Sequence, residues 1–97
     1  MTDRPTQEQR QRRVALAQRG GAFQLVARLQ DAAHNTRHVR QLYRAYWRVL
    51  VAKGPPAEKE AAHAAYRAAL QEELGELLKI AGLPSAASRL AREGGAA

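Results

Sequence analysis

Between Thr36 and Lys53 the chain reads TRHVRQLYRAYWRVLVAK, and wound at about 100° per residue this stretch separates into two faces. Val39, Leu42, Tyr43, Tyr46, Val49 and Leu50 fall on one, with Trp47 at its edge. Arg37, Arg40, Arg44 and Arg48, spaced three, four and four, fall on the other. Side chains three and four apart are neighbours on a helix surface, so the arginines form one continuous ridge, roughly 16 Å long. The pattern predicts a helix that packs a core with one side and presents a row of fixed positive charge with the other.

Three further helices follow from the same periodicity. Over 6–19 the apolar content is only Val14, Ala15, Leu16 and Ala17, but Thr6 with Gln9 three residues on makes a capping box and Gly20-Gly21 punctuates the end. The N-terminal half of this segment is basic, with Arg10, Arg12 and Arg13. Over 22–34, Phe23, Val26, Leu29 and Ala33 recur at helical spacing. Asn35-Thr36 then marks either a short turn or a kink, and Thr36 is a good N-cap for the ridge helix. Gly54-Pro55-Pro56 ends that helix, because proline has no backbone N–H to donate.

The last long segment, 57–81, has Glu58 and Glu60 in its first turn and an apolar stripe of Tyr66, Leu70, Leu74, Leu77, Leu78 and Ala81. Ala61, Ala64, Ala65 and Ala68 lie opposite, either to admit a close helix or simply as strong helix formers. Gly75 falls on the polar side, Gly82 caps the end and Pro84 stops the helix. A short final helix is expected over 85–92. The reading is an all-α, four-helix bundle in one domain spanning 1–97, with 1–5 and 93–97 disordered. Its predicted core is Leu29, Leu42, Tyr46, Leu50, Leu70, Leu74 and Leu77.

Composition sharpens this picture. Apolar residues make up 45% of the 97, but 21 of them are alanine, so the core is modest and association with a partner is plausible. Cysteine is absent, which excludes disulfides and thiolate chemistry and fits a cytoplasmic protein. No apolar run reaches the roughly 18 residues of a membrane span, and the N-terminus has no signal-peptide core. The net charge of +7 is lopsided: residues 1–53 carry eleven Lys or Arg against three acids, and residues 54–97 carry five against six. Thirteen of the sixteen basic residues are arginine, the side chain suited to bidentate phosphate or carboxylate contacts. A polyanion partner for the first half is the direct implication.

Catalytic candidates are few. Serine occurs only at 85 and 88 and aspartate only at 3 and 31, and no phosphate loop, nucleophile elbow or zinc-protease motif is present. His34 and His38 lack an evident third ligand, so no metal or cofactor is expected. Arg28 and His34, separated by five residues, resemble the active-site signature of the HEPN ribonucleases. Leu29 stands where that signature has a polar residue, and the chain is expected not to be an enzyme.

Thr36-Arg37-His38-Val39-Arg40-Gln41-Leu42-Tyr43 resembles the Thr-x-x-Ile/Val-Arg-x-aromatic/Leu-Tyr stretch of the small helical subunit of type III CRISPR effector complexes. The resemblance implies an all-helical, non-catalytic subunit that stacks with copies of itself and contacts a guide–target duplex through basic side chains, with Arg40 at the family's basic position.

Two functional expectations result. The first is a sequence-nonspecific nucleic-acid-binding subunit, for RNA or DNA, that grips the phosphate backbone through Arg37, Arg40, Arg44 and Arg48, with Arg10, Arg12 and Arg13 contributing and Trp47 available to stack on a base. The alternative is a helical interaction module whose basic face docks an acidic protein surface, including the Glu72, Glu73 and Glu76 of another copy.

Overall fold

The computed structural model describes residues 4–83 and residue 89, and these contain four α-helices and no strand. The protein is all-α: α1 (Gln7–Gln18), α2 (Leu25–His34), α3 (Arg37–Val51) and α4 (Pro56–Ile80). The expected helix over 85–92 and the loose 93–97 tail lie outside the described residues, Arg89 apart. Of the N-terminal segment expected to be disordered, Arg4 is placed, with Nη1 2.8 Å from Glu72 Oε1.

The start of α1 follows its sequence signature. Thr6 Oγ1 accepts from the Gln9 amide at 3.1 Å, and the Thr6 amide donates to Gln9 Oε1 at 2.9 Å. Two amide groups that a helix start leaves unpaired are thereby satisfied. Val14 and Ala17, three apart, are buried, and Leu16 between them is exposed.

The second helix begins three residues later than its apolar spacing predicts. Gln24 adopts a left-handed backbone, φ 60°, and Phe23 stays outside the helix with 82% of its surface exposed. The cause is Arg28, which turns back onto the connecting loop. Its Nε donates to the Ala17 carbonyl and its Nη1 to the Phe23 carbonyl, each at 2.9 Å, and its Nη2 donates to the Gly21 carbonyl. A side chain thus satisfies carbonyls that no helical ladder reaches. Gly20 makes room for it: a Cβ there would sit 2.7 Å from Arg28 Cζ.

Between α2 and α3 there is a turn rather than a kink. The buried Thr36 hydroxyl donates to the Ala33 carbonyl at 2.9 Å and accepts from the Val39 amide at 3.4 Å, closing one helix and opening the next.

The long α4 is the spine. Its C-terminal half packs against α1 and α2 in a core of Val14, Ala17, Leu29, Ala33, Leu74, Leu77 and Leu78. Its N-terminal half meets α3 through rings, with Tyr43 5.0 Å from Tyr66 and Tyr46 5.0 Å from His63 between centroids. Leu29, Leu74 and Leu77 occupy the core as expected. Leu42, Tyr46 and Leu50 are only half-buried, because the α3–α4 seam is open to solvent along its edges among the described residues and Val39 is the one fully enclosed residue of α3, while Leu70 is half-buried at the margin of the main core. Ala61, Ala64, Ala65 and Ala68 are exposed, so their role among the described residues is helix formation.

Glu73 is the unexpected member of the interior. It follows Ala69 by four and precedes Leu77 by four, and so lies on the buried stripe of α4. Arg10 Nε lies 3.1 and 3.0 Å from its two carboxylate oxygens, and Nη2 lies 2.8 Å from Oε1. The two side chains retain 15% and 6% of their exposure. Hydrogen bonding to Glu73 raises the Arg10 guanidinium above the ordinary arginine value despite its lost hydration, and the charges of Glu73, Glu76 and Glu72 add to this.

Two stability measurements test this architecture. Glu73→Ala strands a half-buried guanidinium and should lower the unfolding free energy in urea titration by about 3 kcal/mol, whereas Arg10→Met with Glu73→Leu should lose far less than the sum of the single changes. Gly75 lies inside α4, and a Cβ added there meets nothing within 4 Å. Gly75→Ala should therefore stabilise the fold by about 0.5–1 kcal/mol, and a melting midpoint that fails to rise would contradict the placement.

Candidate nucleic-acid interface

From Ala32 to Ala57 the chain contains no acidic residue, and α3 sits in the middle of that interval. Its apolar side is occupied by the seam with α4, which leaves the arginine side turned outward. Arg37, Arg40, Arg44 and Arg48 are all exposed. Among the described residues, no carboxylate is paired with Arg40, Arg44 or Arg48. Successive arginines of this trio stand about 6 Å apart along the helix axis.

Two concavities flank the ridge and share Asn35, Arg40, Gln41 and Arg44 in their walls. The larger, of about 840 Å³, adds His34, Tyr43, Trp47 and Arg48. The smaller, of about 430 Å³, adds Arg37 and Arg13. Arg13 belongs to α1, so the fold brings a cation from a distant segment to the ridge. Its Nη1 is buried without a hydrogen-bond partner among the described residues.

The floor of the larger groove is the surface end of an aromatic cluster. His34 meets Tyr43 at 5.1 Å and Tyr66 at 5.8 Å, both edge-on, and Tyr43 meets Trp47 at 6.1 Å with the ring planes 78° apart. Desolvation in this cluster pushes the Tyr66 phenol above the usual tyrosine value, and Tyr43 adds to it. Trp47, at the outer end, keeps 48% of its surface exposed.

The structure thus gathers Arg37, Arg40, Arg44, Arg48, Arg13 and Trp47 around one helix. Arg10 is drawn away from them to Glu73, and Arg12 is exposed on α1, where it pairs with Glu8 one turn before it. Asn35 and Gln41 join the site without having been singled out in the sequence. Gln41 falls just beyond the arginine face at helical spacing, and that was the available signal; Asn35 enters only through the turn that precedes the Thr36 cap.

The arginine and histidine of the ribonuclease-like spacing are not brought into contact with one another by any hydrogen bond or ring contact among the described residues. Arg28 is committed to the carbonyls of the α1–α2 loop, and His34 to its ring contacts. No group of three His, Cys, Asp or Glu side chains that could hold a metal occurs among the described residues. No helix among them is long and apolar enough to cross a membrane. Comparison with family models, with curated proteins and with solved structures finds no match to this chain.

Because Arg40, Arg44 and Arg48 are exposed and form no ion pair among the described residues, replacing all three with glutamine should leave folding nearly untouched, within about 0.5 kcal/mol per site by urea titration. A larger loss would mean that these arginines hold the bundle together.

Proposed function

We propose that this protein is a non-catalytic, sequence-nonspecific nucleic-acid-binding module that grips the phosphate backbone of RNA or DNA through the arginine face of α3. The observation that carries the reading is the acid-free face itself: a helix presenting Arg40, Arg44 and Arg48, for which no ion pair occurs among the described residues, with Arg37 beside them and Arg13 in the wall of the adjoining cleft. Arginine is always charged and its planar fork suits phosphate oxygens, so the face attracts a polyanion at any physiological pH. Nothing in this arrangement selects a base sequence, since contacts to phosphate position a strand without reading it. The resemblance of Thr36–Tyr43 to the small subunit of type III CRISPR effectors agrees with this reading, including a role inside a larger cytoplasmic assembly.

The self-docking form of the acidic-protein alternative loses support from the fate of its target. Glu72 pairs with Arg4, Glu73 is buried on Arg10, and Glu76 lies 3.6 Å from Lys79. These carboxylates are already engaged within the chain.

Affinity measured against salt concentration, with arbitrary RNA and DNA, tests the proposal. Arg40→Gln or Arg44→Gln should weaken binding alike for unrelated sequences and lower the salt slope by roughly one each. Arg67→Gln, on the opposite side of the charge asymmetry, should change little. If the triple glutamine variant folds normally and binds both nucleic acids as well as the parent chain, the proposal fails.

A further inference from the structure

We infer that the larger groove receives an unpaired base, stacked on Trp47, and therefore that the nucleic acid this protein prefers is single-stranded. The inference rests on the nucleic-acid reading above and narrows its substrate class. Three observations carry it. First, a half-exposed tryptophan ends the aromatic cluster inside a groove whose rim is arginine. The groove sets the indole and the Tyr43 ring beside arginine side chains, so apolar and cationic surface adjoin there, which suits a ligand that is both aromatic and anionic. A nucleotide is such a ligand.

Second, the ring geometry leaves a stacking position open. Tyr43 approaches Trp47 with the planes 78° apart, so the two rings are not stacked in parallel. Tyr43 is itself in contact with His34 and Tyr66, so the ring that backs Trp47 belongs to the aromatic cluster between α2, α3 and α4. Such an aromatic surface gives base stacking.

Third, the groove has the size and polar equipment for one nucleotide. Its volume of about 840 Å³ falls within the range of ordinary small-ligand sites. Arg40, Arg44 and Arg48 follow one edge at a separation comparable to that of successive phosphates along a strand. Asn35 and Gln41 offer amide groups able to donate to or accept from the edge of any base. In a duplex each base is paired on its edge and stacked on both faces, so no face is available to Trp47. Duplexes should reach the arginines only.

Trp47 is the single tryptophan of the chain, so intrinsic fluorescence reports on this groove alone. The parent protein is titrated with a single-stranded oligonucleotide, with the matching duplex, and with an abasic strand that carries the same phosphates without bases. The expected result is quenching of Trp47 by the single strand only, with affinity about tenfold above that for the duplex or the abasic strand. Trp47→Ala should remove about tenfold of the single-strand affinity and leave duplex affinity unchanged, and Trp47→Phe should restore most of it. Should the duplex and abasic strand bind as tightly as the single strand with Trp47 emission unmoved, while the arginine variants still lose binding, the stacking inference is wrong and the phosphate-binding proposal stands. Absence of binding to all three would overturn both.

Discussion

The pairing of Arg10 with Glu73 is the constraint on which the rest of the bundle rests. A carboxylate on the buried stripe of α4 cannot stay ionised in an apolar interior without a partner, and the partner comes from the first helix. That requirement sets where α1 lies along α4, and with it which residues of α1 can face inward. Val14 and Ala17 meet the leucines one turn below, and Arg13 is carried round to the arginine cleft. An alanine-rich chain has little apolar area with which to specify a packing register, and directional polar contacts supply the missing definition. Thr36 and Arg28 act in the same way at the two helix connections, each satisfying backbone groups from a side chain.

The two faces of α3 depend on one another. Its apolar side is fastened to α4 by rings rather than by a deep aliphatic seam, and the rings continue outward until the last of them, Trp47, reaches solvent beside the arginines. The contacts between the two helices are tilted, Tyr43 on Tyr66 and Tyr46 on His63, and the contact within α3 that reaches Trp47 is edge-on. The same helix supplies structural anchorage and a charged surface without a loop intervening, so the spacing of the arginines along the surface is set by the helix backbone.

The four long helices and the two-sided character of α3 were legible in the sequence, because strong periodicity, proline and glycine punctuation and the Thr6 and Thr36 caps act locally. The contents of the core were less so. Leu42, Tyr46 and Leu50 obey the apolar spacing yet remain half-buried, since nothing among the described residues covers the outer edges of the α3–α4 seam. The start of α2 was misplaced because the spacing of Phe23 and Val26 carries no trace of the Arg28 contacts that hold the preceding loop. Glu73 was read as surface charge although its register with Ala69 and Leu77 marks it as inward; the identity of the side chain outweighed its position. In the candidate interface the ridge was plain from spacing, whereas the arrival of Arg13 from α1 and the division between Arg10 and Arg13 are consequences of tertiary packing that no local pattern encodes.

The Arg28 clamp has a consequence for cooperativity. Its guanidinium bonds to the carbonyl of Ala17 in the last turn of α1 and to those of Gly21 and Phe23 in the loop, while its backbone belongs to the first turn of α2. Neither helix end can fray without releasing the other, since loosening either one breaks contacts shared by both. The α1–α2 hairpin should therefore open as a single unit in native-state hydrogen exchange instead of melting from the loop outward. The two glycines that look like the weakest point of the chain are thus the place where two helices are tied into one.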